Sequence, residues 1–347
     1  MEHPNLQTEQ YKLFGKTKND SELFLSTIFN KNGMELSVCD FGATITSLKV
    51  PLDNSEKIDV VLGFENGENY EQSFLINSAP FFGAVVGLNA GRINEGIINI
   101  NGHQIQLDVN FGKHHLHGGK INLSNQIWTL IDAAHGENPS VTYEITTPAN
   151  QNNYPGSVTV KATYQLLENN SLKIIFTATT TTDNPINLTQ HSYFNLNGHQ
   201  YSIENLQLKL TATQFLETNA DLIPTGNILS VKDTPFDFTE YKDCPKSIDT
   251  SFVLDQQHAA SLYCPENRLR MNVSTNQPSV HIYVGGQCHE DIKCKDGASY
   301  HRLSGICFET QNFPDAPNHP NFPSSILQPD ETYFQETIFQ FENNCDF

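Results

Sequence analysis

The sequence predicts an all-β chain folded as a large antiparallel β-sandwich, and three observations carry that prediction. Helical periodicity is nearly absent, whereas short β-branched and aromatic runs bounded by Gly, Asn, Asp and Pro recur from end to end. No repeat of fixed period marks a propeller or a solenoid. The Pro- and Asn-rich patches at Asn150 to Gly156 and Thr234 to Phe238 are too short to be domain linkers. The 347 residues are therefore expected to form one continuous domain, long enough to bury a sizeable core.

Taken in order, Glu35 to Val50 (ELSVCDFGATITSLKV) reads as a hairpin. The most apolar stretch, Ala79 to Leu88, is ten residues, about half of the ~20 that cross a bilayer, so no membrane span is expected. Gly96 to Asn110 reads as two strands around an Asn101-Gly102 turn, and Ser157 to Leu167 with Ser171 to Thr182 as two strands around Asn169-Asn170. Ile186 to Leu196 (INLTQHSYFNL) reads as one strand with Asn187, Thr189, His191, Tyr193 and Asn195 facing outward and Ile186, Leu188, Phe194 and Leu196 in the core. The same parity over Gly305 to Phe313 (GICFETQNF) puts Cys307, Glu309, Gln311 and Phe313 on one face and Ile306 and Phe308 on the other.

Charge narrows the function classes. Lys and Arg number 20 against 39 Asp and Glu, a net charge of -19. Such a chain repels phosphate backbones and offers no clustered cationic footprint, which excludes nucleic acid and anionic membrane surfaces as main partners. The 22 Phe and 12 Tyr supply bulky apolar area that acidic disordered chains lack. Met1 to Asp20 lacks the charged start and apolar run of a secretory signal, and Cys39, Cys244, Cys264, Cys288, Cys294, Cys307 and Cys345 form an odd set without a Cys-x-x-Cys pair. A cytoplasmic location with reduced thiols is expected.

Four segments carry residue types that do chemistry. His191, taken alone, fits a solvated strand face, and Glu309 alone fits a charge on an edge strand. Phe313 beside Glu309 is an aromatic next to a carboxylate, a pairing suited to the C–H face of a sugar ring. The run His114-His115-Leu116-His117-Gly118-Gly119 contains His-x-His, but no third ligand at motif spacing; a tight glycine loop against a ligand is the stronger reading, and no metal is expected. Arg92 follows the small residues Ala90 and Gly91 and offers a planar donor to hydroxyls or a carboxylate.

With these segments in view, the chain resembles the galactose mutarotase, or aldose 1-epimerase, family. The resemblance rests on Asn187 to Leu196 (NLTQHSYFNL), Leu222 to Gly226 (LIPTG), Glu309 to Ala316 (ETQNFPDA) and Leu116 to Gly119 (LHGG) followed by Trp128. These come in the family's order, from Phe41-Gly42-Ala43-Thr44 to the strand at Tyr333 to Phe341. It implies a large β-sandwich and a cytoplasmic enzyme that interconverts hexose anomers without cofactor or metal. Position by position, it implies Glu309 as catalytic base and His191 as general acid. It makes His117 a second active-site histidine, Asp249 a carboxylate that holds sugar hydroxyls, and Arg92 a substrate contact. Tyr193, Phe313, Gly91 and His281 complete the expected substrate-binding set. Three positions depart from the family: Gly91 where many relatives have Asn, Leu88 where Arg is frequent, and His281 where some have Gln.

The implied chemistry is deprotonation of the anomeric O1–H with protonation of the ring oxygen, by one base and one acid on opposite sides of the hemiacetal. An unlike Glu–His pair suits it, since groups of different intrinsic pKa hold one proton between them at neutral pH. Alternatives are a glycosidase using Glu309 and Asp249 as its carboxylate pair, a non-catalytic sugar-binding sandwich, and an epimerase of a disaccharide or a hexose 6-phosphate. A phosphosugar site calls for a cationic pocket, for which Arg92 is the one obvious candidate. Free monosaccharide is the expected partner; oligomeric state is not legible.

Overall fold

A computed structural model describes residues 10–76, 78–285 and 292–345. Cys288 and residues 1–9 of the N-terminal stretch Met1 to Asp20 lie outside the described residues. Within them the chain is antiparallel β-structure with one α-helix, Gly67–Ser73, which Asn66 caps by accepting the Asn69 N–H at 3.0 Å. No helix among the described residues is long and apolar enough to cross a membrane.

The largest sheet has nine strands in the spatial order Thr129–Ala134, Ser140–Thr147, Val158–Leu167, Ser171–Thr180, Tyr333–Glu342, Leu269–Thr275, His258–Cys264, Gln207–Leu210 and Lys242–Asp243. Its long central hairpin turns at Asn170, which takes the left-handed conformation (φ 58°) that Asn tolerates. One face is apolar by strict alternation. Val160, Ala162, Tyr164 and Leu166 are buried opposite Ala178, Phe176, Ile174 and Leu172, while the residues between them are partly open.

Two further sheets cover that face. A five-stranded sheet runs in chain order through Tyr11–Lys16, Glu22–Phe29, Glu35–Cys39, Thr44–Pro51 and Lys57–Asp59. It docks where Tyr143 donates to Ser26 Oγ at 2.8 Å and Tyr164 to the Ala43 carbonyl at 2.5 Å, so two buried phenols keep their hydroxyls satisfied. A six-stranded sheet, in the order Tyr193–Phe194, Ile306–Gln311, Ser279–Val284, Ile248–Val253, Gln214–Thr218 and Pro224–Ser230, covers the rest. There Phe194 meets Phe339 of the large sheet at 4.9 Å and Phe308 at 6.2 Å between ring centroids, and Thr310 Oγ1 lies 2.6 Å from Thr337 Oγ1. Each such buried aromatic contributes roughly 1.5–3 kcal/mol through burial. The predicted β-sandwich is thus the observed fold class, and the three predicted hairpins are present, including Ile97–Ile100 with His103–Gln106 around Asn101-Gly102 at φ 52° and 81°.

One element differs. Ile186 to Leu196 is not a single strand with an exposed polar face: it makes two short ladders, Thr189–Gln190 with Val85–Val86 and Tyr193–Phe194 with Ile306 and Cys307. Both of its faces are buried. The polar side chains are spent on loop backbone: Asn187 Nδ2 donates to the Asn312 carbonyl at 3.1 Å, and Asn195 Nδ2 to Tyr201 and Ser304 carbonyls at 2.7 and 3.0 Å.

Candidate active site

The outer face of the six-stranded sheet is a grid of polar side chains set by register. Asp249, Tyr283, Cys307 and Tyr193 are cross-strand neighbours, and one step along lie Ser251, His281 and Glu309. Alternation does this: Ile306, Phe308 and Thr310 point to the large sheet, leaving Cys307, Glu309 and Gln311 for the other side. Two loops roof the grid. Arg92 pairs with Leu116 in a two-stranded ladder, which brings the Leu116 to Gly119 turn beside it. That turn needs glycine: at Gly118 (φ 87°) an added Cβ would sit 1.9 Å from the Gly87 carbonyl oxygen.

Grid and loops enclose a cleft of about 590 Å³, a size typical of small-molecule sites. Glu309, His191, His117, Asp249, Arg92, Gly91, His281 and Tyr193 all line it. His191 Nε2 lies 3.5 Å from Glu309 Oε1, and its Nδ1 rests 3.7 Å from Cys307 Sγ. Both residues are nearly closed off, at 4% and 3% exposure. His117 completes the group, since its ring nitrogen, that of His191 and a Glu309 oxygen lie within 4.8 Å of one another.

His117 has one available protonation pattern. Its Nδ1 accepts the Gly91 N–H at 3.2 Å, so the neutral ring carries its proton on Nε2. Burial, then the charges of His191 and Arg92, push its pKa well below the ordinary histidine range, which keeps it neutral. Asp249 is the opposite case. Burial alone would raise its pKa, but His281 at 2.9 Å and Arg92 at 3.3 Å hold it well below the usual carboxylate range. Burial lowers the pKa of His281, and the bond to Asp249 more than reverses that, so the net shift is upward.

Phe313 requires a correction. It does not line the cleft but packs edge-on against Phe322 at 5.0 Å beside Leu216 and Ala316, 4% exposed. The chain leaves strand geometry after Gln311, so alternation no longer governs where residue 313 points. The aromatic rings in the cleft are instead Phe74, Phe81, Phe111, Tyr193 and Tyr283. Phe81 sits edge-on to His117 at 5.0 Å and tilted over His191 at 5.8 Å. Leu88 is likewise absent from the cleft lining, 4% exposed in the core.

Ser251, Tyr283 and Phe81 escaped sequence reading. For Ser251 and Tyr283 a signal existed, because each stands two residues from a chosen residue on the same strand face. Phe81 had none, since its position depends on a left-handed backbone (φ 55°) inside an apolar run.

The His-rich loop does not converge. His114 Nδ1 accepts the Glu95 N–H at 3.0 Å and its Nε2 faces Asp221, while His115 bonds to the Asp108 carbonyl at 2.6 Å and the Tyr154 hydroxyl at 2.8 Å. Among the described residues, His117, His191 and Glu309 are the group close enough to share an ion or a proton. Two buried atoms of cleft residues, Arg92 Nε and Gln311 Oε1, have no hydrogen-bond partner among the described residues. A ligand rich in hydroxyls satisfies such groups.

A family model for aldose 1-epimerase matches residues 25–340. The chain belongs to the aldose 1-epimerase family. The galactose mutarotase of Bos taurus is 34% identical over 321 residues, spanning 89% of this chain and 91% of that protein. The aldose 1-epimerase of Haemophilus influenzae is 34% identical over 338 residues, spanning 92% and 95%. A crystal structure of galactose 1-epimerase from Lactobacillus acidophilus superposes with a TM-score of 0.83 at 26% identity, covering 96% of this chain and 98% of that one. This aldose 1-epimerase family member is accordingly an enzyme, an isomerase of the mutarotase class.

Proposed function

We propose that the chain interconverts the α- and β-anomers of free aldohexoses such as galactose and glucose, with Glu309 as base and His191 as acid. The observation that carries this reading is the convergence of Glu309, His191 and His117 in one buried cluster. The hemiacetal oxygens O1 and O5 are separated only by C1, so the base and acid that serve them belong side by side rather than on opposite sides. The 3.5 Å contact supports that revised arrangement.

Glu309 takes the O1 proton, the electron pair closes to a C1–O1 double bond, the C1–O5 bond breaks, and O5 takes a proton from His191 Nε2. His117, neutral and donating from Nε2, stabilises the negative charge that develops on the oxygen it faces. Rotation of half a turn about C1–C2 presents the other carbonyl face, and reclosure with the two proton transfers reversed gives the other anomer. Asp249, paired with Arg92 and His281, orients the remaining hydroxyls; Tyr193 and Gly91 shape the cleft wall. This is positioning of a bound ring, which relieves the barrier of its entropic part. The chemistry draws on no cofactor.

We read residues 1–347 as one domain, supported by a buried core that runs through all three large sheets. The compartment we propose is the cytoplasm, supported by the described cysteines, each a buried free thiol. Polarimetry of fresh α-sugar beside a reducing-end assay on a glycoside tests the reading. Accelerated mutarotation without new reducing ends upholds it; release of reducing ends points to a glycosidase; neither points to a binding module.

A further inference from the structure

His281 stands in the sheet row beside Glu309 but outside the proton-transfer cluster, and its two ring nitrogens meet partners of different kinds. Nε2–H donates to Asp249 Oδ1 at 2.9 Å, and a carboxylate only accepts. Nδ1 lies 2.8 Å from Ser251 Oγ, and a hydroxyl either donates or accepts. Ser251 is itself 4% exposed and lines the cleft, and His281 is its one hydrogen-bond partner through the side chain among those observed.

The role of Ser251 therefore depends on the charge of the ring. Beside an imidazolium, Nδ1–H donates to Ser251 Oγ and the serine proton is left for the cleft. Beside a neutral ring whose Nε2 keeps its proton for Asp249, Nδ1 accepts a hydrogen bond from the serine hydroxyl, and the serine offers the cleft lone pairs alone. The groups around His281 favour the first state. Asp249 lies on the strand to one side and Glu309 directly opposite on the other; Tyr283 is on its own strand; Arg92, His117 and His191 face it from the surrounding walls. Of these, Asp249 in direct contact and Glu309 directly opposite favour charge on the ring, the Arg92 guanidinium and the acid His191 oppose it, His117 is held neutral, and Tyr283 stays a phenol with its pKa pushed up to about 12 by burial.

We propose that Asp249, His281 and Ser251 form a positioning relay, in which the charged imidazole of His281 turns the Ser251 hydroxyl into a hydrogen-bond donor to a substrate hydroxyl. The relay rests on the sugar reading of the same cleft. It makes sugar affinity sensitive to pH through a group that takes no part in proton transfer to O1 or O5. As pH rises through the His281 titration, the ring loses its Nδ1 proton, Ser251 ceases to donate, and Asp249 loses one of its two cationic neighbours.

Two readouts on the whole protein test this. Long-range proton–nitrogen NMR of the histidine rings follows His281, assigned by its loss in His281→Gln; the signal should keep both ring protons above pH ~6.5, where an exposed histidine is half titrated. The KM for galactose should rise about three- to tenfold across that same titration, the range of one hydrogen bond lost, with kcat changing less. In His281→Gln, whose amide still donates to Asp249 but carries no charge, KM should be raised and flat across that window. Ser251→Ala should keep the His281 titration and show the raised, flat KM. A KM limb that survives in His281→Gln, a wild-type KM in folded Ser251→Ala, or a neutral His281 at pH 6.5 overturns the relay. Absence of any anomer exchange by the wild type would instead defeat the proposed reaction; galactose affinity by calorimetry, read over the same pH range and variants, then decides the relay.

Discussion

Gly91 and His117 bind each other reciprocally: the Gly91 N–H donates to His117 Nδ1 at 3.2 Å, and the His117 N–H donates to the Gly91 carbonyl at 3.1 Å. The pair fixes both the ring orientation and the tautomer of the histidine nearest the Glu309–His191 contact. Gly91 can do this because it takes a left-handed backbone (φ 75°) in close contact with Pro314, whose Cβ would lie 2.9 Å from an added Cβ.

Gly91→Ala should accordingly cost about 1–2 kcal/mol of stability for the left-handed backbone. It should also lower kcat at least about tenfold, since a misplacement of ~1 Å at a reacting centre costs up to ~10²-fold. Urea unfolding and mutarotation kinetics measure the two effects separately. Wild-type kcat in folded Gly91→Ala would show that the tautomer of His117 is not set by this bond.

The place in the cleft that proximity to Glu309 gave to Phe313 is held by Phe81. Phe313→Ala should destabilise the fold by about 3–5 kcal/mol, as truncation of a buried Phe does, while leaving KM for sugar near the wild-type value. Phe81→Ala should raise KM with a smaller effect on stability. Thermal unfolding with steady-state kinetics distinguishes them; a raised KM in Phe313→Ala alone would restore the sequence-based assignment.

Between pH 7.5 and 5.5, acid acts on the buried histidines and on the buried Asp40 with opposite signs. His115 is held below its ordinary pKa chiefly by burial, with Nδ1–H given to the Asp108 carbonyl and Nε2 accepting from Tyr154; His117 is lowered further. A base with a depressed folded pKa binds its proton first in the unfolded chain, so stability rises with pH below the unfolded value and is full above it. Lowering pH from 7.5 to 5.5 should therefore remove the stability that His115 and His117 contribute as neutral rings, His117 the larger part. His281, with its raised pKa, and Asp40, whose burial pushes it up to about 7, contribute the opposite sign, present at low pH and lost as pH climbs through their folded pKa values. Urea titrations of the wild type and of His115→Gln at the two pH values isolate the histidine part: the variant should lose less stability on acidification than the wild type, and an equal or larger loss would contradict it.

Chelation should leave the reaction rate unchanged, because His117, His191 and Glu309 act as proton carriers around a hydroxyl in this account. Mutarotation in excess EDTA, then with added Zn²⁺ or Mn²⁺, measures this. Loss in EDTA restored by metal would make that cluster a metal site.

Much of this site was legible because strand alternation is a rigid rule. The face shared by Cys307, Glu309 and Gln311 follows from Ile306 and Phe308 facing the core, and the large sheet confirms it through Thr310 and Thr337. The rule failed where the chain left strand geometry. Phe313 follows the end of its strand, and the Ile186 to Leu196 segment breaks into two short ladders because its asparagines serve loop carbonyls. Register between strands was also beyond reach of a single sequence. That His281 lies opposite Glu309 and beside Ser251 depends on long-range pairing that local patterns do not encode.

The central claim is that Glu309 and His191 exchange protons with the anomeric centre, and two-dimensional exchange NMR on equilibrated galactose measures that event without net reaction. Cross-peaks between the α and β anomeric protons should grow in proportion to wild-type enzyme. They should fall by at least ~10²-fold in folded Glu309→Gln and His191→Asn, the usual scale of a lost general base or acid. Exchange within about tenfold of wild type in folded Glu309→Gln would contradict the account.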